Sequence, residues 1–220
     1  IDKEFQKNLK EANMNYLLFD NGKRNDIYAD MILNTNPIVS KSDYRNKSIN
    51  PKTKLLLGPR YSIIRPEFPP VISNAKSSIK TILITFGGGD DRGSVLLVLN
   101  AFLKVQMQDV EFIVVSGQEN PNNNKIKQWI GNHNFGNVEL KINPSSIAEL
   151  FALCDLAIIA GGTTVYEVAS IGLPMILISI ADNQVKHSYD WSQVTESIKY
   201  IGGLEDFQEE KLIKVFNQLL

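Results

Sequence analysis

Three short stretches combine glycines or amides with carboxylates, and each follows an apolar run of the sequence. They are FGGGDD (86–91), AGGTTVYE (160–167) and IADNQ (180–184). In the second stretch, a Gly161–Gly162 pair at a helix start leaves backbone N–H groups free to approach an anion. One turn later, the carboxylate of Glu167 can accept hydrogen bonds from both hydroxyls of a ribose. Together these groups predict a site for a nucleoside diphosphate.

The second stretch also has a purely structural interpretation. Thr164 and Glu167 match the S/T-x-x-E capping box, in which each side chain satisfies a backbone N–H at the helix start. Ser146 and Glu149 repeat this spacing where no glycine pair precedes it. The spacing therefore predicts that the chain uses capping boxes as ordinary helix starts, and both interpretations of Glu167 stay open.

The first stretch excludes some nucleotide motifs. A dinucleotide fingerprint, G-x-G-x-x-G, needs a glycine where Arg92 stands, and the P-loop ending G-K-[ST] is absent. FGGGDDRG is also consistent with a tight turn between a strand and a helix. In that case Asp90 and Asp91 favour the helix start.

Amide and aromatic side chains extend the candidate site. Asn183 and Gln184 suit a sugar or a base edge, although Asp182 or Asn183 is also a plausible helix cap. In LLLGPRYSIIRPEF (55–68), Tyr61 and Arg65 stand four apart and would line a cleft between two domains if they share one face. The alternative is that Arg65 forms an interdomain salt bridge and Tyr61 packs.

The histidines contribute little to the predicted chemistry. His133 stands in a polar loop, and His187, just past Asn183, is expected to be an inert surface residue of a helix. No Cys/His cluster has the spacing of a metal site, and no G-x-S-x-G nucleophile elbow occurs.

Alternating apolar and amphipathic segments predict the elements that hold these residues. Strands are predicted at 16–20, 29–34, 54–58, 81–86, 111–117, 138–142, 156–160 and 174–180, and helices at 2–13, 93–108, 122–131, 146–153, 164–171, 184–197 and 205–220. Such alternation is typical of a doubly wound α/β domain, which binds ligands outside the carboxyl ends of its parallel strands.

Proline-rich RPEFPPVISNAKSS (65–78) predicts a domain boundary. We therefore expect a domain remnant at 1–66, a linker at 67–78 and a nucleotide-binding domain at 79–220. The segment 1–66 begins with a predicted helix, whereas an α/β unit normally begins with a strand. We expect it to be a truncated part of a second Rossmann-like domain.

The composition narrows the functional classes. The 220 residues are 43% hydrophobic and 21% charged, with a formal net charge of −1, which favours a globular protein and gives no support to nucleic-acid binding. A single cysteine, Cys154, suits a reducing compartment, and no apolar run is long enough to span a membrane. We expect a cytoplasmic monomer without nucleic-acid or membrane partners.

Taken in order, these stretches resemble one known family. FDN with ADMILN, SDY, LLLGPRYSIIRPEF, FGGGDD, GGTTVYEVASIGLP and NQ are similar to the UDP-2,4-diacetamido-2,4,6-trideoxy-β-L-altropyranose hydrolases of pseudaminic acid biosynthesis. That family has a GT-B-like fold and resembles spore-coat polysaccharide biosynthesis proteins. The LGPxYxxxRxEF stretch is the most specific match, because GGTT…E also fits many GT-B enzymes, including the peptidoglycan N-acetylglucosaminyltransferase.

The resemblance implies a set of binding residues and no metal or other cofactor. UDP would be bound by residues of the three stretches, and the sugar by Tyr61, Arg65 and Asn183. The nucleotide-binding set is Gly88, Gly89, Asp90, Gly162, Thr163, Thr164, Glu167, Asn183 and Gln184.

The resemblance also implies a histidine that activates water for an inverting attack at the anomeric carbon. That histidine would precede Ile1, and neither His133 nor His187 matches it. We therefore expect a UDP site without a catalytic residue in this chain. Two alternatives remain open: a GT-B glycosyltransferase that uses a UDP-sugar donor, and a sugar-nucleotide-binding module without enzymatic activity.

Overall fold

A computed structural model describes residues 1–68, 78–105, 107, 109–133, 135 and 137–219. The chain forms two compact units, Ile1–Ile63 and Ile64–Leu220. Most of the predicted linker at 67–78 lies outside the described residues, so its boundaries stay predictions. The same holds for positions 106 and 108 of one predicted helix and for position 220 of the last.

The first unit contains a three-stranded parallel sheet and one α-helix. Its elements are α1 (Lys3–Glu11), β1 (Leu17–Phe19), β2 (Met31–Asn34) and β3 (Lys54–Leu57), with short 3-10 turns at Lys41–Tyr44 and Pro59–Tyr61. The strands pair in the order β1-β2-β3. The side chain of Asp2 caps α1 by accepting from the Phe5 N–H at 2.8 Å. Three of the predicted strands and the first predicted helix are thereby confirmed.

A buried hydrogen-bond network joins three of the sequence motifs in this unit. Asp20 directly follows β1, and its Oδ2 accepts from the Tyr44 hydroxyl at 2.8 Å. The same hydroxyl accepts from Asn34 Nδ2, at the end of β2, at 2.8 Å. Burial raises the pKa of Tyr44, which keeps it a neutral donor. The FDN, ADMILN and SDY stretches therefore meet in one structural cluster.

The second unit is a six-stranded parallel sheet with helices between the strands. Its elements are β4 (Thr81–Thr85), α2 (Ser94–Lys104), β5 (Glu111–Ser116), α3 (Asn123–Asn132), β6 (Asn137–Ile142), α4 (Ile147–Leu153), β7 (Leu156–Ala160), α5 (Thr164–Ser170), β8 (Met175–Ser179), α6 (Asp182–Ser192), β9 (Ile198–Gly203) and α7 (Glu209–Asn217). The strand order is β6-β5-β4-β7-β8-β9. Counted from β4, this is the 3-2-1-4-5-6 order of a Rossmann fold, and the predicted α/β class is confirmed.

Both faces of this sheet are covered by apolar packing. Successive residues of a strand point to opposite faces. Ile82 and Ile84 accordingly pack into one cluster with residues of α2, α3 and α7, and Leu83 packs into a second cluster with residues of α4 and α5. The near-continuous apolar strands of the sequence therefore reflect burial on both sides.

The end of the chain differs from the prediction. Residues 198–203 form the edge strand β9, which the sequence analysis did not predict, and α6 ends at Ser192, five residues earlier than the predicted 197. The final helix is α7, Glu209–Asn217, shorter than the predicted 205–220. The IKYIGG stretch has one buried residue in three and ends in two glycines, so its strand pattern is weak. Within the described ranges, no helix is long and apolar enough to span a bilayer.

We expect Tyr44→Phe to lower the free energy of unfolding by about 1–3 kcal/mol, because it leaves Asn34 Nδ2 without its acceptor and removes a donor from Asp20. Urea denaturation measures the change. Tyr28→Phe, at a partly exposed tyrosine of the same unit, is the control. Equal stability of the two variants would show that the buried network does not stabilise the unit.

Candidate functional site

The loops after β4, β7 and β8 meet at one edge of the second unit. β4 and β7 are adjacent parallel strands, although β5 and β6 intervene in sequence, and β8 lies next to β7. The chain turns in opposite directions from β4 and β7, so their carboxyl ends form the crevice where open α/β sheets bind ligands. Arg92, in the first of these loops, donates from Nη1 to the Ile180 carbonyl after β8 at 2.6 Å. The three predicted stretches are thus brought together.

The first loop presents open backbone to solvent. Gly87, Gly88 and Gly89 are all exposed, and Gly87 has φ 98°, a conformation that disfavours any side chain. A Cβ atom at Gly88 or Gly89 would find no atom within 4 Å. On its inner side the loop packs closely against Gly117, which follows β5. A Cβ atom at Gly117 would lie only 1.7 Å from the Gly88 carbonyl oxygen. The sequence analysis missed Gly117, although it follows the β5 strand directly.

The two aspartates of this loop have different roles. Asp91 is 1% exposed, and its carboxylate accepts from the N–H groups of Gly93 and Val95 at the start of α2. The structural interpretation is therefore correct for Asp91. Asp90 is exposed, and its Oδ1 accepts from the Arg92 N–H at 2.8 Å. Because Asp91 already occupies the start of α2, the exposed glycine backbone is the part of this loop left for an anion.

Arg92 and Asn122 hold the same loop, and sequence reasoning missed both. Arg92 has φ 53°, where a glycine would be less strained, and the Asp90 contact together with the guanidinium contact to Ile180 keeps it there. Asn122 Nδ2 donates to Asp91 Oδ1 at 2.6 Å and to Asp90 Oδ1 at 3.2 Å. The position of Asn122 at the start of α3 gives no local signal of this contact.

The glycine pair of the second loop divides into a packed and an open residue. Gly161 is buried, and a Cβ there would lie 1.9 Å from Ser188 Oγ on α6. At Gly162 the nearest atom to a Cβ is Gln184 Nε2, at 3.9 Å. Thr163 is exposed and precedes α5, which begins at Thr164. Gly161 is thus required for packing, whereas Gly162 is open to a ligand.

Glu167 forms an ion pair rather than the capping box that was one of its two interpretations. Its Oε1 accepts from Arg65 Nε at 2.7 Å, and its side chain is 14% exposed against 43% for Arg65. No side chain caps α5 at Thr163, and none caps α4 at Ser146. The capping interpretation of Thr164 with Glu167, and of Ser146 with Glu149, is therefore wrong for these helix starts. The Glu167 carboxylate raises the pKa of the Arg65 guanidinium.

Arg65 lies within the second unit and makes further contacts there. Its Nη1 lies 3.2 Å from Glu67 Oε1, and its guanidinium lies 5.1 Å from the ring centroid of Phe68. Phe68 is buried and packs edge-on against Phe151 at 5.6 Å between centroids. The predicted interdomain salt bridge of Arg65 is therefore a bridge within one unit.

Tyr61 does not share a helical face with Arg65. Tyr61 ends a 3-10 turn of the first unit, and residues 62–65 have no helical structure, so the four-residue spacing does not align the two side chains. The Tyr61 ring lies 4.7 Å from the Arg60 guanidinium carbon.

The third loop contributes two amides to the edge. α6 begins at Asp182 with Ala181 as its N-cap, so the prediction of Asp182 or Asn183 as the cap is wrong. Asn183 is exposed in the first turn. Gln184 Oε1 accepts from the Ile180 N–H at 3.0 Å, and its Nε2 would lie 3.9 Å from a Cβ atom at Gly162.

His187 is not the inert surface residue that the sequence suggested. Its Nδ1 lies 2.9 Å from the Gly161 carbonyl oxygen, and its Nε2 lies 3.0 Å from the Tyr166 hydroxyl. Trp191 Nε1 donates to the same Nε2 at 3.1 Å. Burial lowers the pKa of His187, and the hydrogen bond to the Gly161 carbonyl and the nearby Asp190 oppose that shift only in part. His187 and Trp191 stand four apart on α6, a spacing that brings side chains together on a helix.

One cavity of the second unit lies at the opposite edge of the sheet. A cavity of about 720 Å³ is lined by Thr81, Glu111 and Asn137, which begin β4, β5 and β6, and by His133. It therefore lies at the amino ends of the strands, where such sheets do not bind their ligands. Among the residues that the structure describes, no group of three His, Cys, Asp or Glu side chains is placed to hold a metal ion.

Two curated proteins are similar to the chain in sequence. No protein-family model matches the chain. It is 30% identical over 191 residues to the uncharacterized protein MJ1062 of Methanocaldococcus jannaschii, covering 81% of this chain and 38% of that protein. It is 28% identical over 188 residues to the spore coat polysaccharide biosynthesis protein SpsG of Bacillus subtilis, covering 82% of this chain and 53% of SpsG. The chain thus spans about half or less of the length of these relatives.

The fold of the chain is similar to that of a solved MurG structure. MurG of Acinetobacter baumannii matches with a TM-score of 0.65 and 16% identity, over 97% of this chain and 67% of MurG. The glycosyltransferase SnogD of Streptomyces nogalater matches more weakly, with a TM-score of 0.44, 16% identity and coverage of 87% and 52%. The MurG match shows a GT-B-like fold, as the sequence analysis predicted.

We expect Gly161→Ala to lower the free energy of unfolding by about 1–3 kcal/mol, because its methyl group would overlap Ser188 Oγ. Gly162→Ala is the matched control, since a methyl group there meets no atom closer than 3.9 Å. Thermal denaturation compares the two. Equal losses would contradict the division into a packed and an open glycine.

We expect the free energy of unfolding to fall as the pH drops below about 6.5, the ordinary histidine value. The lowered pKa keeps folded His187 neutral while the unfolded chain binds a proton, so protons favour unfolding in this window. Urea denaturation between pH 7 and 5 measures the slope, at most about 1.4 kcal/mol per pH unit for one proton. His187→Asn should flatten it, and an unchanged slope would assign the effect to other groups.

Proposed function

We propose that the crevice between the three loops binds a nucleoside diphosphate, and that this nucleotide is the UDP of a UDP-linked sugar. One observation carries the proposal. Two open glycine loops meet at the point where the strand order reverses, and the carboxylate of Glu167 lies one turn beyond the second loop. Such crevices bind phosphates through backbone N–H groups.

In this proposal the diphosphate binds to backbone. Gly88 and Gly89 in the first loop, and Gly162 with Thr163 and Thr164 in the second, offer N–H groups without a side chain in the way at the glycines. α5 is only seven residues long, so the proposal relies on the open turn before it rather than on a helix dipole. Asp90 would lie beside the phosphates without contacting them, because its negative charge repels theirs.

Glu167 would accept hydrogen bonds from the ribose hydroxyls. Its Oε1 has one partner in Arg65, and a carboxylate offers about four acceptor positions in all. Arg65 therefore orients the carboxylate without saturating it. Asn183 and Gln184 border the same edge and would contact the sugar or the base. Arg65 and Tyr61 remain proposed sugar contacts.

The reaction that we propose is hydrolysis of the UDP-sugar. Water would attack the anomeric carbon with inversion, the bond to the diphosphate oxygen would break, and UDP would leave. The LGPxYxxxRxEF stretch supports a hydrolase of a UDP-linked diacetamido-trideoxyhexose in nonulosonic acid or surface polysaccharide biosynthesis. Neither histidine of this chain suits the role of base. Both ring nitrogens of His187 have partners, and His133 lines the cavity at the amino ends of the strands.

A glycosyltransferase is the second candidate. The fold similarity to MurG is consistent with it, because a GT-B fold can bind a UDP-sugar whether the nucleophile is water or a sugar acceptor. The two reactions differ in the nucleophile and share the nucleotide site. A nucleotide-binding module without activity would share the site as well.

We expect calorimetry to show binding of UDP to this chain, and weaker binding of 2′-deoxy-UDP. Loss of a charge-assisted hydrogen bond costs about 1.5–3 kcal/mol, or roughly 10- to 100-fold in affinity. Glu167→Ala should remove this preference for the ribose, because both nucleotides then lack the same partner.

Glu149→Ala is the matched control for this experiment. Glu149 is exposed and stands in the first turn of α4, as Glu167 does in α5, but α4 follows the edge strand β6. It should bind both nucleotides as the unaltered chain does. If the Glu167 variant kept the preference for UDP and only melted earlier, the carboxylate would be structural.

An activity assay separates the proposed reactions. We expect the full-length gene product to release UDP from a UDP-linked diacetamido sugar in water alone. Release that requires a second sugar as acceptor would identify a transferase. Binding of UDP without release from any UDP-sugar, with or without acceptors, would favour the binding module.

A further inference from the structure

His187 contacts the peptide unit between Gly161 and Gly162, in the second loop of the proposed nucleotide site. Its ring bridges three elements, the Gly161 carbonyl after β7, the Tyr166 hydroxyl on α5 and the Trp191 indole on α6. The peptide between Gly161 and Gly162 joins two residues without side chains, so neither Cβ sterics nor rotamers restrain its plane.

The indole decides which nitrogen of His187 carries the proton. Trp191 Nε1–H is a donor only, so His187 Nε2 must be its acceptor and cannot carry a hydrogen. The neutral ring therefore has its proton on Nδ1, which donates to the Gly161 carbonyl oxygen at 2.9 Å. The Tyr166 hydroxyl lies 3.0 Å from the same Nε2 and shares its single lone pair with the indole N–H.

The orientation of that carbonyl determines the direction of the next N–H group. A trans peptide is planar, and its C=O and N–H bonds point in opposite directions. Because the Gly161 carbonyl points toward His187 on α6, the Gly162 N–H points away from that helix. Among the described residues, no backbone carbonyl accepts from the Gly162 N–H. Gly162 is partly exposed, and a Cβ there would be 3.9 Å from its nearest neighbour.

We infer that His187 is a positioning residue that locks the Gly161–Gly162 peptide plane and so aims the Gly162 N–H at a phosphate oxygen of the bound nucleotide. The inference rests on the proposed function for the identity of the ligand. The lock itself is a property of the ligand-free protein. Without the Nδ1–H donor, the peptide can rotate and present its carbonyl oxygen, which repels a phosphate.

A matched pair of variants tests the inference. His187→Asn keeps an amide N–H near the position of Nδ1, whereas His187→Leu keeps the bulk and loses the donor. Both lose the contacts with Trp191 and Tyr166, so their melting temperatures should fall together. Calorimetry should show UDP affinity reduced about three- to tenfold in His187→Leu and restored to within about twofold in His187→Asn. Equal affinities of the two variants would overturn the positioning role.

The amide signal of Gly162 in nuclear magnetic resonance spectra provides a readout without ligand. We expect one sharp signal in the unaltered chain and in His187→Asn, and a shifted, broadened or doubled signal in His187→Leu. An unchanged signal in His187→Leu would refute the lock. If the signal responds as expected and no variant, nor the unaltered chain, binds UDP, the lock stands and the proposed function fails.

Discussion

The position of β7 beside β4 is the constraint on which the second unit depends. Hydrogen bonds along this parallel pair bring Thr85 opposite Ile159, so the loops that follow must leave the sheet side by side. β5 and β6 lie on the other side of β4, and the chain therefore diverges from this point in both directions. The crevice is a consequence of strand order, and any group that must meet a ligand there has to stand within a few residues of a strand end.

Within that crevice, packing and ligand access are divided between neighbouring residues. Gly161 and Gly117 are small because α6 and the Gly88 carbonyl approach them, while Gly162 and Gly88 have free space where a side chain would be. The Asp91 carboxylate accepts hydrogen bonds from N–H groups at the start of α2. The glycine backbone is therefore the open surface that is left for an anion. Glu167 likewise combines a structural contact with room for a ligand. Its carboxylate is paired with Arg65, and its remaining acceptor positions can accept from hydroxyl groups.

The sequence predicted the central strands and helices well, because residues such as Ile82 to Ile84 are apolar on both faces and the helices between the strands are amphipathic. It also predicted which loops would meet. It failed where the outcome depends on distant partners. The spacing of Thr164 and Glu167 fits a local cap, and only the fold reveals that Arg65, about a hundred residues earlier, lies 2.7 Å from the carboxylate. His187 was misjudged for the same reason, since its partners Gly161 and Tyr166 are remote in sequence. The edge strand β9 was missed because its IKYIGG pattern is weak by itself.

Mapping amide chemical shifts on titration with UDP locates the nucleotide site residue by residue. We expect the largest shifts at Gly87 to Gly89 and at Gly162 to Thr164, with smaller shifts at the start of α6 and none around the cavity lined by His133. Saturable shifts confined to that cavity, or no shifts at millimolar UDP, would contradict the proposed site.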